Sequence, residues 1–311
     1  MGACGSSEPA ASVSCDRVLD PGGEPASFVA SLEEGETGCL EGGETYGTSE
    51  TISIGRPGVT LTSSTEERAT LQGQLRVEPE ADGATIENLI LDGRNTGDDL
   101  GPLIYADDVV LRGNDISNDN TAICVHLASY PGEDPPTGVL IEGNEIHNCG
   151  RLPARNHDHG IYVADAVGTV IRGNLIYENA DRGIQLYPDA DETEVVGNVI
   201  VGNGQGVIFG GDDDGTSDDN VVTGNVIADS TIRYNVSSSW QGPTGSGNVV
   251  RGNCVWADGE EYRGVPDGSG IENPMSGAVA TDNVVADPGF GDGYEVDPEG
   301  ECGQILSAAA D

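Results

Sequence analysis

The run VVLRGNDIS at Val109–Ser117 returns as VLIEGNEIH at Val139–His147, TVIRGNLIY at Thr169–Tyr177, TEVVGNVIV at Thr193–Val201, NVVTGNVIA at Asn220–Ala228 and NVVRGNCVW at Asn248–Trp256. Weaker copies, ATIENLILD from Ala84 and VATDNVVAD from Val279, flank the series. Taking one Asn per unit (Asn88, Asn114, Asn144, Asn174, Asn198, Asn225, Asn253, Asn283), the spacings are 26, 30, 30, 24, 27, 28 and 30 residues. Each unit holds two short alternating runs around an Asn turn and usually a third run beginning Gly-Ile. Alternation with period 2 marks strands. A unit of this length is too short for a strand-helix-strand crossover and suits one coil of a parallel β-helix, whose coils stack at about 4.8 Å. The recurring Asn then stacks on itself, satisfying backbone groups in the turn and tolerating left-handed backbone there. Its role is structural.

These repeated (I/V)xGNxI units, with the opening segment PASFVASLEEGETGCLEGGETY from Pro25, resemble the right-handed parallel β-helix superfamily of pectate-lyase-like proteins, with PbH1-type repeats, over roughly Pro25 to Pro288. The resemblance implies an all-β, single-stranded right-handed parallel β-helix of about 9–10 coils with a short N-terminal capping helix. Its known activities include polysaccharide lyases, uronan C5-epimerases and glycoside hydrolases, alongside noncatalytic surface proteins. An open stack needs covered ends. Phe28, Val29 and Leu32 fall on one side of a short helix able to cover the first, and the Gly, Asp and Pro-rich stretch from Pro288 to Cys302 is expected to cover the second as a loop. The organisation expected is a tether over 1–14, an N-terminal cap over 15–45, the β-helix over 46–288 and a C-terminal cap and tail over 289–311.

Of the 311 residues, 54 are Asp or Glu and 13 are Arg, with no Lys, for a net charge of -41. Such a surface repels a phosphate backbone, so nucleic acid is excluded as a partner. No run of residues approaches the length of a spanning helix. The start, MGACGSSEPAAS, reads as the end of a lipoprotein signal with Cys4 as the lipidated residue, so a secreted or cell-surface lipoprotein and a monomer are expected. The other six cysteines have no zinc spacing and read as structural disulfides of an exported protein, paired locally as Cys15 with Cys39, Cys124 with Cys149 and Cys254 with Cys302.

Overlaying the Gly-Ile runs TAICVH (Thr121), HGIYVA (His159), RGIQLY (Arg182), GVIFGG (Gly206) and TIRYNV (Thr231) points Ile123, Ile161, Ile184, Val207 and Ile232 inward. Two outward columns result: Cys124, Tyr162, Gln185, Ile208 and Arg233, then His126, Ala164, Tyr187, Gly210 and Asn235. Ahead of them Asn156 is expected on Asn179, Asp158 on Asp181 and His159 on Arg182. The stretch NHDHGIYV is the least repeat-like of the chain, and GRLPAR before it enlarges one turn, as insertions that wall a cleft do.

Proton abstraction from a uronate needs a neutralised carboxylate, a base and a proton donor. Arg182 and Arg233, with Asn156 and Gln185, serve the first need; His159 is the candidate base, Tyr162 or Tyr187 the donor, and Asp158 an orienting group. His157, Asp181, His126 and Asn235 complete the expected substrate contacts. The set resembles the DPH-type His/Asp/Tyr/Arg sites of C5-epimerases and alginate lyases, but the Pro is missing and Asp and His are adjacent. As a hydrolase, the chain would use Asp158 and Asp181, about 5 Å apart on neighbouring coils; the ordered NTD, DD, GHG and RIK motifs of polygalacturonase-like enzymes are absent. The acidic loop Gly210–Asn220 offers Asp212, Asp213, Asp214 and Asp218 for calcium, without EF-hand spacing and with a solvated charge run as the alternative. No cofactor is required. The function expected is lyase or C5-epimerase action on an extracellular polysaccharide, with carbohydrate binding without catalysis, or glycoside hydrolysis, as alternatives.

Overall fold

The computed structural model describes residues 14–93, 101–213, 215–238, 242–257 and 268–310. Cys4 and Asp214 therefore lie outside the described residues. Within them the chain winds as one right-handed parallel solenoid whose strands stack into sheets of 11, 10 and 8 strands. One coil donates a strand to each: Val110–Arg112 to the eleven-stranded sheet, Asp115–Ser117 to the ten-stranded sheet and Val125–Leu127 to the eight-stranded sheet. The centre is filled by one branched aliphatic residue from nearly every short strand, such as Leu111, Ile116, Ile141, Ile146, Ile171, Ile176, Val195 and Ile200, all at most 1% exposed.

The Asn turns form a continuous ladder. The backbone N–H and Nδ2 of Asn114, Asn144, Asn174, Asn198, Asn225 and Asn253 each donate to Oδ1 of the next Asn at 2.9 to 3.1 Å. Nδ2 also reaches a strand carbonyl, as from Asn198 to Ile171 at 2.8 Å. Two details differ from expectation. The left-handed turn is taken by the Gly before each of these six Asn, for example Gly173 at φ 62° and Gly224 at φ 67°, and by Asp282 before Asn283, so the ladder Asn supplies hydrogen bonds and the residue before it the conformation. Asn88, at φ 52°, stands in that Gly slot, and Leu89 takes the place of the ladder Asn, donating to Asn114 Oδ1 at 3.0 Å. Shorter ladders, Asn179 on Asn203 and Asn220 on Asn248, run through the other turns.

At the N-terminal end α1 (Pro25–Ala30) buries Ala26, Phe28 and Val29. Glu24 caps it, accepting from the N–H groups of Ala26 and Ser27, and Pro25 opens it where no N–H is needed. The three expected disulfides are formed: Cys15–Cys39, Cys124–Cys149 and Cys254–Cys302. The last ties down a helix, α2 (Glu301–Ala310), where a loop was expected. Ile305, Leu306, Val296, Phe290 and Ala286 pack with Val226, Cys254 and Cys302, so this segment lies along the ten-stranded sheet. Among the described residues no helix is long and apolar enough to cross a membrane.

Candidate functional site

The outward column at the middle of the eight-stranded sheet runs Leu103, His126, Tyr162, Gln185, Ile208, Ser237. The expected pairings Tyr162–Gln185, Ile161–Ile184 and His159–Arg182 hold. Two strands, however, sit in another register. Val125, not Ile123, pairs with Ile161, which puts His126 beside Tyr162 and leaves Cys124 in its disulfide. Val236, not Ile232, pairs with Val207, so Ser237 takes the place expected for Arg233. The slips are of two and four residues. An even slip keeps apolar residues inward, so alternation alone cannot detect it. Asn235 is turned inward, donating to the carbonyls of Trp256 and Ser269 at 2.8 and 2.9 Å, and is no surface contact.

Gly160 and Gly183 allow the strands to start close to the turn ladders; a Cβ at Gly160 would lie 2.8 Å from Asn179 Nδ2 and one at Gly183 3.1 Å from Asn203 Nδ2. The residues before them, His159 and Arg182, sit beneath the enlarged turn and are each 1% exposed. Asp181 holds that turn: its carboxylate accepts from the N–H groups of Asn156, His157 and Asp158 at 2.7, 2.8 and 2.9 Å. Asn156 consequently does not stack on Asn179; its Oδ1 instead receives Arg182 Nη2 at 2.6 Å and also Arg233 Nη1. Arg182 Nη1 donates to Gln185 Oε1 at 2.6 Å. Burial, reinforced by the neighbouring Arg233, lowers the Arg182 pKa to about 10. Among the described residues Arg233 makes no ion pair. The two guanidinium groups line a cleft of about 80 Å³ together with Asn156, Asp181, Gln205 and Ile232. Gln205, in register with Arg182, is a member that residue type alone did not single out.

Asp158 neither orients a histidine nor pairs with Asp181 as an acid. Arg151 grips it through Nε and Nη2 at 2.6 and 2.8 Å. Burial acts to raise its pKa, but the Arg151 bonds outweigh this and hold it below the usual carboxylate range. With both carboxylates serving the turn, the expected hydrolytic pair is not assembled. His157 is exposed. Tyr162 stacks on His126 with ring centroids 4.7 Å apart and meets His159 edge-on at 5.5 Å. Burial raises its pKa to about 12. Tyr187 donates to Asp212 at 3.2 Å.

Both ring nitrogens of His126 and Nδ1 of His159 are buried without a hydrogen-bond partner. Burial pushes His126 down to about 4, and His159 well below its ordinary value through burial followed by the Arg182 charge. A histidine kept neutral in the fold takes up its proton on unfolding once the pH falls below about 6.5, so its contribution is intact above that pH and is lost as the pH falls toward 4. From pH 7 to pH 5, wild type should lose about 2 kcal/mol more stability than His126→Phe. Urea midpoints at the two pH values measure this; equal losses would mean that His126 is already solvated.

Asp212 and Asp218 are engaged locally. Asp218 accepts from Thr216 Oγ1 at 2.6 Å and from Ser246 Oγ at 2.7 Å, so the expected calcium loop is tied up in turn contacts. Among the described residues, the group whose ligand atoms approach within 4.8 Å of one another, as a metal ion requires, is Asp115, Glu145 and His147. Asp115 and Glu145 stand at matching places in the adjacent repeats GNDIS and GNEIH, with His147 two residues after Glu145, which is the signal that could have revealed the trio.

The sequence matches the family model described as right handed beta helix region over 54–216 and 102–285. No curated protein matches. Among solved structures, pectate lyase Pel9A superposes with a TM-score of 0.60 at 16% identity, covering 89% of this chain and 83% of that one. Alginate lyase from Paenibacillus sp. str. FPU-7 gives 0.50 at 16% identity, covering 84% and 96%. A tailspike protein double mutant of E. coli bacteriophage HK620, solved with a pentasaccharide, gives 0.54 at 14% identity, covering 86% of this chain and 59% of that one.

Proposed function

The chain belongs to the right-handed β-helix family, and on that premise we propose that it binds an acidic extracellular polysaccharide across the eight-stranded sheet and acts on it by abstracting the proton at C5, as a lyase or C5-epimerase does. The observation that carries this reading is the convergence of Arg182 and Arg233 on one neutral oxygen, Asn156 Oδ1, in a chain of net charge -41. Two cations that converge on a neutral amide oxygen suit a carboxylate arriving with the ligand. Neutralising a uronate carboxylate acidifies the C5 proton and stabilises the carbanion-like transition state. Tyr162, with a pKa near 12, stays protonated at neutral pH and is a donor to the leaving oxygen. His159, kept neutral, is the base once a ligand displaces the turn above it. Similarity in fold to a pectate lyase and an alginate lyase supports this choice of chemistry.

A binding module without catalysis is the second reading, favoured by the 1% exposure of His159. Incubation with polygalacturonate and alginate separates the two. A lyase releases product with the absorbance of a new C4–C5 double bond, and an epimerase exchanges H5 for deuterium in D₂O. Tyr162→Phe should lower either rate by about 100-fold or more while the glycan is still retained. An unchanged rate would remove Tyr162 from the chemistry; retention of glycan with neither reaction would support the binding module, and failure to retain any acidic glycan would end both readings.

A further inference from the structure

We propose that Asp115, Glu145 and His147 form a binding site for one divalent cation of the zinc class, on the ten-stranded sheet and independent of the glycan face. In-register pairing sets Asp115 directly beside Glu145, and His147 lies two residues farther on, facing the same side. Like charges opposed across neighbouring strands are unfavourable. On the eleven-stranded sheet the facing charges are balanced: Glu87, Arg112, Glu142 and Arg172 alternate in sign, with Arg112 and Arg172 reaching Glu142 at 2.9 and 2.6 Å. Here the register neighbours outside the pair are Ile90 and Leu175, so no guanidinium balances the two carboxylates.

Three further features match a metal site rather than a solvated acidic patch. First, Nδ1 of His147 faces Asn148 Oδ1 at 2.8 Å, the outer bond that orients a ligating imidazole, which directs Nε2 toward Asp115 Oδ1 at 3.0 Å. Second, Tyr177 stacks on the ring at 4.8 Å and fixes its plane. Third, Glu145 is exposed and, among the described residues, its carboxylate makes no hydrogen bond or ion pair, so it is available to close on an ion. Ligand atoms now within 4.8 Å of one another need only a small rotamer change to reach the separation of about 3.4 Å that tetrahedral bonds of about 2.1 Å impose. One imidazole with two carboxylates selects Zn²⁺ or Co²⁺ over Ca²⁺, which prefers oxygen ligands alone.

The full chain, titrated calorimetrically with Zn²⁺ and followed by visible absorption with Co²⁺ in excess Ca²⁺, tests this. Calcium occupies the dispersed surface carboxylates and leaves the imidazole site. The expected result is one equivalent of each metal, bound at least about tenfold more tightly than Ca²⁺, with Glu145→Gln and Asp115→Asn each weakening it by tenfold or more. Glu145→Gln removes no internal contact, so its folding is secure; circular dichroism confirms it for both variants. Binding that Ca²⁺ abolishes, or that neither variant changes, would place the metal on scattered carboxylates and overturn the site.

Discussion

Asn198→Ala should destabilise the protein by about 4 kcal/mol, more than any substitution of an exposed strand residue. The side chain is 0% exposed and works in both directions. Its Oδ1 accepts from the N–H and Nδ2 of Asn174, each at 2.9 Å, and its Nδ2 donates to the Ile171 carbonyl at 2.8 Å and to Asn225 Oδ1 at 2.9 Å. Alanine keeps only the backbone bonds, from its N–H to Asn225 Oδ1 and from the Val226 N–H to its carbonyl. The Asn174 N–H is then buried without a partner, at about 1–3 kcal/mol, and the Ile171 carbonyl, Asn174 Nδ2 and Asn225 Oδ1 each lose a hydrogen bond of about 1 kcal/mol. Asn283→Ala, at the half-buried end of the ladder where water can substitute, should cost less than half as much. Urea unfolding of the two variants measures the difference. A loss below about 1 kcal/mol at Asn198 would mean that the ladder accompanies the coil stack without holding it together.

Arg182→Met should lower kcat/KM on an acidic glycan by about 1,000-fold, equivalent to about 4 kcal/mol of lost interaction. Methionine fills the volume of the alkyl stem, so the substitution removes charge and hydrogen bonds without opening a large cavity. It leaves Gln185 Oε1 and Asn156 Oδ1 without the bonds of 2.6 Å that now orient them, and leaves Arg233 as the remaining cation in the cleft. Some stability is lost with those bonds, so kinetics must be read on protein shown to be folded by its melting curve. Arg233→Met, which removes the more exposed cation and keeps the buried one, should weaken binding by a smaller factor. Activity that survives Arg182→Met would dissociate the cleft from the reaction.

The fold was legible because its determinants repeat. One Asn turn per coil, aliphatic alternation beside it and cysteines at coil-length spacing all mark the same period, so errors at one unit are corrected by the next. The structure departs from the sequence reading where repetition fails. The strands at Val125–Leu127 and Val236–Ser237 follow turns of irregular length, and an even slip leaves their apolar pattern intact. Asn88 carried the right residue type in the wrong slot, because Gly and Asn both suit the left-handed backbone that a turn requires. Helix α2 was hidden behind a Gly, Asp and Pro-rich approach, although Ile305 and Leu306 within a run ending in Ala are sound helix formers.

At the site, the sequence displays residue types but not their engagements. Arg182 and Arg233 meet at Asn156 although their columns were drawn differently. Asp158 and Asp181 were candidates for chemistry, yet one is held by Arg151 and the other by three backbone N–H groups. Carboxylates that fasten an irregular turn and carboxylates that transfer protons look alike in sequence; only their partners distinguish them. The histidines carried the opposite ambiguity, since burial rather than position decides that His126 and His159 are neutral.

The net charge of -41 repels any polyanion at long range, so an acidic glycan must gain its affinity from the local cation pair, over distances shorter than a Debye length. Calorimetric affinity of the unaltered protein for a polyuronate, compared with the same polymer after its carboxylates are reduced to primary alcohols, therefore tests the Arg182–Arg233 cleft most directly. The account predicts binding of the acidic polymer and at least tenfold weaker binding of the reduced one. Equal or tighter binding of the neutral polymer would contradict it.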